Sequence, residues 1–294
     1  MKKIAIIIVN WNEPKATIDC LASIHKLLKL NKLDYKVSII VVDNGSKDNS
    51  VRLIQVKFPN VFLLKNKINL GFARAVNIAL KDVLKKDFDV VMLLNNDTVI
   101  KQKTFFNTMI NELYQNNEIG IIGPVILDEK QNIWSAGGVI DPWRYSGGHI
   151  TKLSQKTSPV DFVSGCCMFI KTEVFKKTGM FDERFYLYYE DVDFCLRAKK
   201  AHYKSMITSK AEIIHSGSHT SRKDFGKMDY YLARGRLLLM YKHASLIIGL
   251  REFLRLPKTL AEMVFGKERN HSRYKFLGMK DFLIGRFNKS NLWS

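Results

Sequence analysis

The stretch VSIIVVDNGSKDNS, residues 37–50, decides the class of fold. A β-branched, apolar run ends abruptly at Asp43 in a cluster of Asp, Asn, Gly, Ser and Lys. A strand apolar on both faces needs cover on both faces, as in a parallel sheet packed between helices. The pattern recurs at Ile4–Val9 before Asn10-Trp11-Asn12, at VFLLKN (61–66) and at DVVMLLNND (89–97). Between these runs, residues 14–30, 48–58 and 72–86 read as helices, with Pro14 near the start of the first. The order βαβαβαβ predicts an open α/β sheet, Rossmann-like and mostly parallel, with helices on both faces. Such sheets bind ligands beyond the carboxyl ends of their strands. Here those ends carry Asn10, Asn12, Asp43, Asn44, Asn95, Asn96 and Asp97, so the expected crevice is polar and partly acidic. Acids gathered in a basic protein point to a metal or to activation of a hydroxyl.

The chain has 294 residues, 46 % of them hydrophobic, which suits one large domain or one domain with an appendage. A formal charge of +19 implies an anionic partner: nucleic acid, a phosphate-rich substrate or an anionic membrane surface. The first strand–helix turn lacks GxGxxG, and no GxxxxGK[ST] occurs, so dinucleotide and P-loop readings are weak. Cys20, Cys166, Cys167 and Cys195 form no CxxC spacing, which argues against a disulfide framework or a zinc site and fits a reducing cytosol. The apolar run Ile4–Val9 is too short for a signal peptide core and has no cleavage site after it. No run reaches the roughly 18 apolar residues of a spanning helix. Residues 120–180 read as loop-rich with short strands, VSGCCMFI (163–170) among them.

A second stretch carries the chemistry. In FYLYYEDVDFCLRAKK (185–200), an aromatic run meets Glu190, Asp191 and Asp193. Acids at a helix N-terminus complement its macrodipole, and Asp193 can pair with Arg197 at i,i+4. The aromatics add a wall of low dielectric, which raises a carboxyl pKa toward the range of a general base. From residue 222 the chain holds 16 Lys/Arg against 6 Asp/Glu, a net of +10, interleaved with apolar runs. This predicts a basic amphipathic helical region, lying on a membrane surface or docked on the core with its basic face in water.

In order along the chain, IIIVNWNE, VVDNGSKDNS, NLGFARAVNIAL, LLNNDT, SGCCMFI, YYEDVDFCLR and HSGSHTS resemble the inverting glycosyltransferases of family 2, which have the GT-A fold. The subgroup most resembled is the bacterial rhamnosyltransferase-like enzymes, over roughly residues 3–240. The resemblance implies a role for each matching position. Asp191 is the catalytic base, with Glu190 orienting base or acceptor. Asp43 accepts the N3–H of uracil or thymine, and Asn10 and Asn12 line the nucleoside. Arg74 lies near base and diphosphate, with Asn77 one helical turn on. Asp97 ends the DxD-type segment Asn95-Asn96-Asp97, in which only this last position is acidic. It ligates Mg²⁺ or Mn²⁺, with His215 as a second ligand and Asn96 at the substrate. Gly165 allows close approach of a ligand, and Tyr188 offers a flat face to a sugar or lipid-linked acceptor. His219, Ser221 and Arg222 sit on a loop that closes over phosphates. Structural alternatives stand beside these: an Asx-turn at Asp43, plain turn residues at Asn10, Asn12 and Asn96, a structural His215, and a bulge at Gly165.

The expected division is a GT-A domain over 1–225, with a nucleotide-sugar half (1–100) and an acceptor half (101–225), then a basic helical region over 226–294. The implied function is metal-dependent transfer from a dTDP- or UDP-linked sugar, dTDP-rhamnose first, to a glycan or lipid-linked acceptor in cell-surface polysaccharide synthesis. The protein would be cytoplasmic and peripheral on the inner face of an anionic membrane, with a homodimer as one option. Two other classes compete: a nucleic-acid-binding protein, suggested by charge alone and lacking any nucleic-acid motif, and a membrane scaffold without catalysis, which intact Asp43, Asp97 and Asp191 oppose.

Overall fold

A computed structural model describes residues 1–30, 35–154, 156–217, 225–265, 269–290 and 292. The chain runs β1 (Lys2–Asn10), α1 (Pro14–Leu30), β2 (Tyr35–Asp43), α2 (Ser50–Lys57), β3 (Phe62–Lys65), α3 (Phe72–Val83) and β4 (Val90–Asn95). Then follow β5 (Thr98–Val99), α4 (Phe105–Tyr114), β6 (Ile119–Leu127), β7 (Ile133–Ser135), β8 (Gly138–Ile140), β9 (Gly147–His149) and β10 (Ser158–Pro159). The remainder is β11 (Cys167–Lys171), α5 (Thr172–Thr178), α6 (Glu190–Lys200), β12 (Lys204–His215), α7 (Phe225–His243), α8 (Leu246–Leu254), α9 (Leu256–Phe265) and α10 (Arg269–Leu283).

The main sheet runs β10-β12-β6-β11-β4-β1-β2-β3. Strands β3, β2, β1 and β4 are parallel, as their unbroken apolar runs require. Side chains of β1 alternate between two cores: Ala5 and Ile7 pack under α3 and α6, and Ile4, Ile6 and Ile8 pack under α1 and α4. Helix α1 buries Thr17, Cys20, Leu21, Ile24 and Leu27, a stripe at helical spacing. In-register pairing sets Asn10 beside Asp43 and Val9 beside Asn95, so the polar ends of β1, β2 and β4 lie level. The four cysteines are free and buried.

The middle of the chain departs from expectation. Residues 119–127 form β6, buried at all nine positions, because the sheet continues past β4 rather than ending there. The strand expected over 163–170 starts only at Cys167. Residues before it turn, with Ser164 Oγ accepting from the Cys166 amide at 3.3 Å. Strand β12 pairs parallel with β6 but slips register between Thr208 and Glu212, opposite Pro124 and Val125. Proline has no N–H for the ladder, and a bulge absorbs the mismatch. Beyond the bulge β12 reaches β5, which pairs His215 with Thr98.

The first helix of the basic region is core. Helix α7 buries Tyr230, Tyr231, Leu238, Leu239 and Met240, and Leu238 and Leu239 belong to the same core as β1 and α6. Gly235 lets α7 pass close to α6: a Cβ there would sit 3.2 Å from the Tyr188 carbonyl and 3.0 Å from the Tyr189 ring. The anchor is Asp193, fully buried, with Arg197 Nε at 2.9 Å, Lys242 Nζ at 2.7 Å and His243 Nε2 at 2.8 Å. Burial alone would raise its carboxyl pKa, yet the bonds and charges of these three groups hold it below the ordinary value. Among the described residues no helix is long and apolar enough to cross a membrane.

Asp193→Ala should cost about 3–5 kcal/mol, because Arg197, Lys242 and His243 lose their buried partner. Chemical unfolding of the two proteins at pH 7 measures it. The difference should shrink as pH falls through the lowered pKa of Asp193, where the parent gives up the same charge.

Candidate active site

The level strand ends open onto a cleft of about 660 Å³. Of the residues expected at the site, Asn96, Asp97, Gly165, Tyr188, Glu190, Asp191 and His215 line it. Asn10, Asn12 and Asp43 stand behind its edge. The Asn10 side chain is fully buried: Nδ2 donates to Asp43 Oδ1 at 2.8 Å, and Oδ1 accepts from Thr17 Oγ1 at 2.6 Å. Thr17 Oγ1 in turn accepts from Asn96 Nδ2 at 3.0 Å. A continuous hydrogen-bonded chain thus runs from Asp43 to the residue beside Asp97. Ser46 closes the Asx-turn, its N–H reaching Asp43 Oδ2 at 3.1 Å, while its hydroxyl accepts from the Asn12 amide at 2.9 Å. Asp43 Oδ2 keeps a second acceptor position, so turn and imide recognition are compatible. Arg74 faces Glu183 at 3.5 Å, both exposed. Asn77 is buried with its amide closed on Phe181, Nδ2 to O at 2.8 Å and N to Oδ1 at 3.1 Å. A side chain so committed braces the 181–183 loop and does not face the cleft.

At one end of the cleft, His215 Nε2 stands 3.2 Å from Asp97 Oδ1. The pair lacks hydrogen-bond alignment, and that buried oxygen accepts no hydrogen bond. Two converging donor atoms, one of them otherwise an unpaid desolvation cost, fit shared ligation of a hard divalent cation. Among the described residues no group of three His, Cys, Asp or Glu gathers around one point, so phosphate and water oxygens would complete the shell. His219, Ser221 and Arg222 lie outside the described residues.

Further along, Tyr188 and Tyr189 both take left-handed backbone, φ 67° and 71°, immediately before α6. Two adjacent bulky residues there are strained, and the turn they make delivers Glu190 and Asp191 at the helix N-terminus. Asp191 Oδ2 accepts from the Gly165 amide and Oδ1 from the Val192 amide, each at 2.8 Å. Gly165 thus holds Asp191 through its backbone. Burial raises the Asp191 pKa against these bonds. Burial first, then the charge of Asp191, raises Glu190 well above the ordinary value, and its buried Oε2 has no partner.

Sequence reasoning missed several lining residues. Helix α7 roofs the cleft with Phe225, Lys227, Met228 and Leu232, and Lys227 Nζ sits 5.2 Å over the Trp11 ring. Trp134 and His149 line it from the short strands β7 and β9, in the segment read as loop-rich with short strands. Asn44 bridges the Asn66 amide, the Leu70 N–H and the Asn69 side chain, tying the loop before α3 to β2. Its place directly after Asp43 was the only signal available.

The model of a family described as glycosyl transferase family 2 matches residues 5–179, more than half of the chain. The chain belongs to that family. This glycosyltransferase is 26 % identical over 212 residues to the N-acetylglucosaminyl-diphospho-decaprenol L-rhamnosyltransferase of Mycobacterium tuberculosis, covering 64 % of this chain and 69 % of that one. It is 27 % identical over 228 residues to the dTDP-rhamnosyl transferase RfbF of Shigella flexneri, covering 73 % and 74 %. Among solved structures, the Pyrobaculum calidifontis mannosyltransferase in complex with GDP-Man and Mn²⁺ superposes with a TM-score of 0.61 at 13 % identity, over 96 % of this chain and 87 % of that one. The α/β architecture described above is the GT-A fold.

A carboxyl whose folded pKa is raised stabilises the fold below its unfolded pKa, and that contribution is lost as pH rises through the folded value. Glu190→Gln should therefore raise the melting temperature at pH 8 and change it little near pH 4. Thermal melts at both pH values check this.

Proposed function

We propose that this glycosyltransferase moves rhamnose from dTDP-rhamnose, with a UDP-hexose as second choice, to a hydroxyl of a glycan or lipid-linked acceptor in cell-surface polysaccharide synthesis, with inversion. The observation that carries the proposal is the placing of Asp191 in one cleft with the Asp97–His215 pair. Held by two amides and pushed up in pKa by burial, Asp191 is poised to accept a proton. The acceptor oxygen bonds to the anomeric carbon, its proton passes to the Asp191 carboxylate, and the bond to the diphosphate breaks with its electron pair. One displacement with one base inverts the centre. Mg²⁺ or Mn²⁺ held by Asp97 and His215 would neutralise charge on the departing diphosphate. Asp43, with Asn10 and Asn12, supports a uracil or thymine base, and the expected nucleotide half (1–100) and acceptor half (101–225) meet at this cleft.

Asp191→Asn should lower transfer roughly 10²–10⁴-fold and leave dTDP or UDP binding intact. Asp97→Ala should erase the Mn²⁺ dependence of that binding in calorimetry. Near-parental turnover in the first, or unchanged metal dependence in the second, removes that residue from its role.

Membrane contact falls to α8 and α9 rather than to the whole basic region, since α7 is core. Leu246, Ile247, Leu250, Leu254 and Phe265 are 63–93 % exposed. An apolar surface within a basic region suits reversible contact with the anionic inner face of a membrane, where a lipid-linked acceptor is met. The full chain should sediment with vesicles containing anionic lipid at low salt and be released at high salt, and Leu246→Glu with Leu250→Glu should stay in the supernatant. If the parent ignores the vesicles and sediments in the ultracentrifuge as a dimer, a second copy covers this surface instead.

A further inference from the structure

Trp134 and His149 belong to no motif, yet they stand between the two chemical ends of the cleft. The turn from β7 to β8 seats them. Gly137 has φ +87°, and a Cβ on Gly138 would lie 2.0 Å from the Phe162 ring. The Ala136 amide donates to the Ile150 carbonyl at 2.7 Å, and the Ile150 amide to the Gly137 carbonyl at 2.9 Å. The result is a rigid layer of rings. His149 packs on Trp134 with centroids 4.6 Å apart and on Phe162 at 5.7 Å. On its other side Trp134 meets His215 at 4.9 Å, and its surface is 37 % exposed.

The Ser135 contacts fit one His149 tautomer. Ser135 Oγ, in a fully buried residue, reaches the Gly137 carbonyl as a donor at 3.2 Å and His149 Nδ1 at 2.9 Å. With the hydroxyl proton on the carbonyl, Nδ1–H donates to Oγ, and Nε2 of this exposed residue carries a lone pair. Desolvation, and then the neighbouring His215, lower the His149 pKa against the pull of the Asp191 charge.

The transferred carbon must lie between the departing diphosphate and the base, that is, between Asp97–His215 and Asp191. Trp134 touches the first end, and His149 stands in the field of the second. A sugar ring has an apolar C–H face that suits an indole and a rim of hydroxyls that seek acceptors. We propose that Trp134 and His149 form a preformed sugar-recognition wall, the indole against the C–H face of the transferred sugar and His149 Nε2 accepting a hydrogen bond from one of its hydroxyls. This rests on the glycosyl-transfer mechanism above.

The test is calorimetry of the full chain with Mn²⁺, using dTDP and dTDP-rhamnose, with UDP and UDP-glucose as a parallel pair. Trp134→Ala and His149→Asn should each weaken the nucleotide sugar about tenfold, a loss of the order of one neutral hydrogen bond, and leave the free nucleoside diphosphate unchanged. His149→Gln, which keeps an acceptor at the Nε2 position, should bind like the parent. A role limited to anchoring Ser135 gives the reverse order, because Asn preserves the Nδ1-type donor and Gln does not. That reversal, or equal binding by all variants, overturns the wall. A parent that binds neither member of either pair overturns the transfer mechanism itself, and the wall with it.

Discussion

One buried carboxylate sets the frame of the active site. Asp193 draws Arg197 from its own helix and Lys242 and His243 from the end of α7, all within 2.9 Å. Isolated, a fully buried charge would be prohibitively costly; with three donors it becomes a fixed point. Because Asp193 lies in the first turn of α6, fixing it fixes Glu190 and Asp191, three and two residues earlier. Because Lys242 and His243 end α7, the same cluster sets the helix that roofs the cleft. Lys242 also reaches Asp182 at 2.6 Å, which extends the clamp to the loop braced by Asn77. A chain with a formal charge of +19 spends some of its excess cations inside.

The carboxylates of the site differ because their partners differ. Asp193 is paired with cations, and its pKa falls. Asp191 is raised by burial, against two amide donors and the weaker pull of His149. Glu190 has an unpartnered oxygen beside another acid and rises further. Asp97 leaves one buried oxygen open toward His215. Environment thus sorts one functional group into a cation-paired anchor, carboxyls of raised pKa and a carboxylate with an open oxygen.

Backbone irregularities carry much of this placement. Left-handed Tyr188 and Tyr189 turn the chain into α6, and the slip of β12 opposite Pro124 precedes the pairing that brings His215 to Asp97. Rigid sheet and strained turns together hold the site before any substrate arrives.

The four parallel strands and their helices were legible in the sequence, because strands covered on both faces leave unbroken apolar runs and polar ends. Asp97, Glu190, Asp191 and His215 stand out in the sequence, each a polar residue at the edge of an apolar run, and the fold brings all four to one cleft. Strand β6 was not legible, because residues 120–180 as a whole read as loop-rich with short strands, while burial on both sides by neighbouring strands overrides propensity. Asn77 was misplaced because helical spacing places it one turn from Arg74 but cannot reveal the Phe181 backbone it meets 104 residues later. Trp134 and His149 lie in short strands with no periodicity, and only the ring packing on Phe162 and His215 brings them to the cleft. The basic C-terminal region carried two readings in the sequence, and tertiary structure divided it. Helix α7 is held in the core by Asp193 and Gly235, whereas α8 keeps Leu246, Ile247, Leu250 and Leu254 exposed and α9 keeps Phe265 exposed. Local pattern follows from what each residue does to its neighbours in sequence. Which buried charge finds its partners depends on contacts that exist only once the chain has folded.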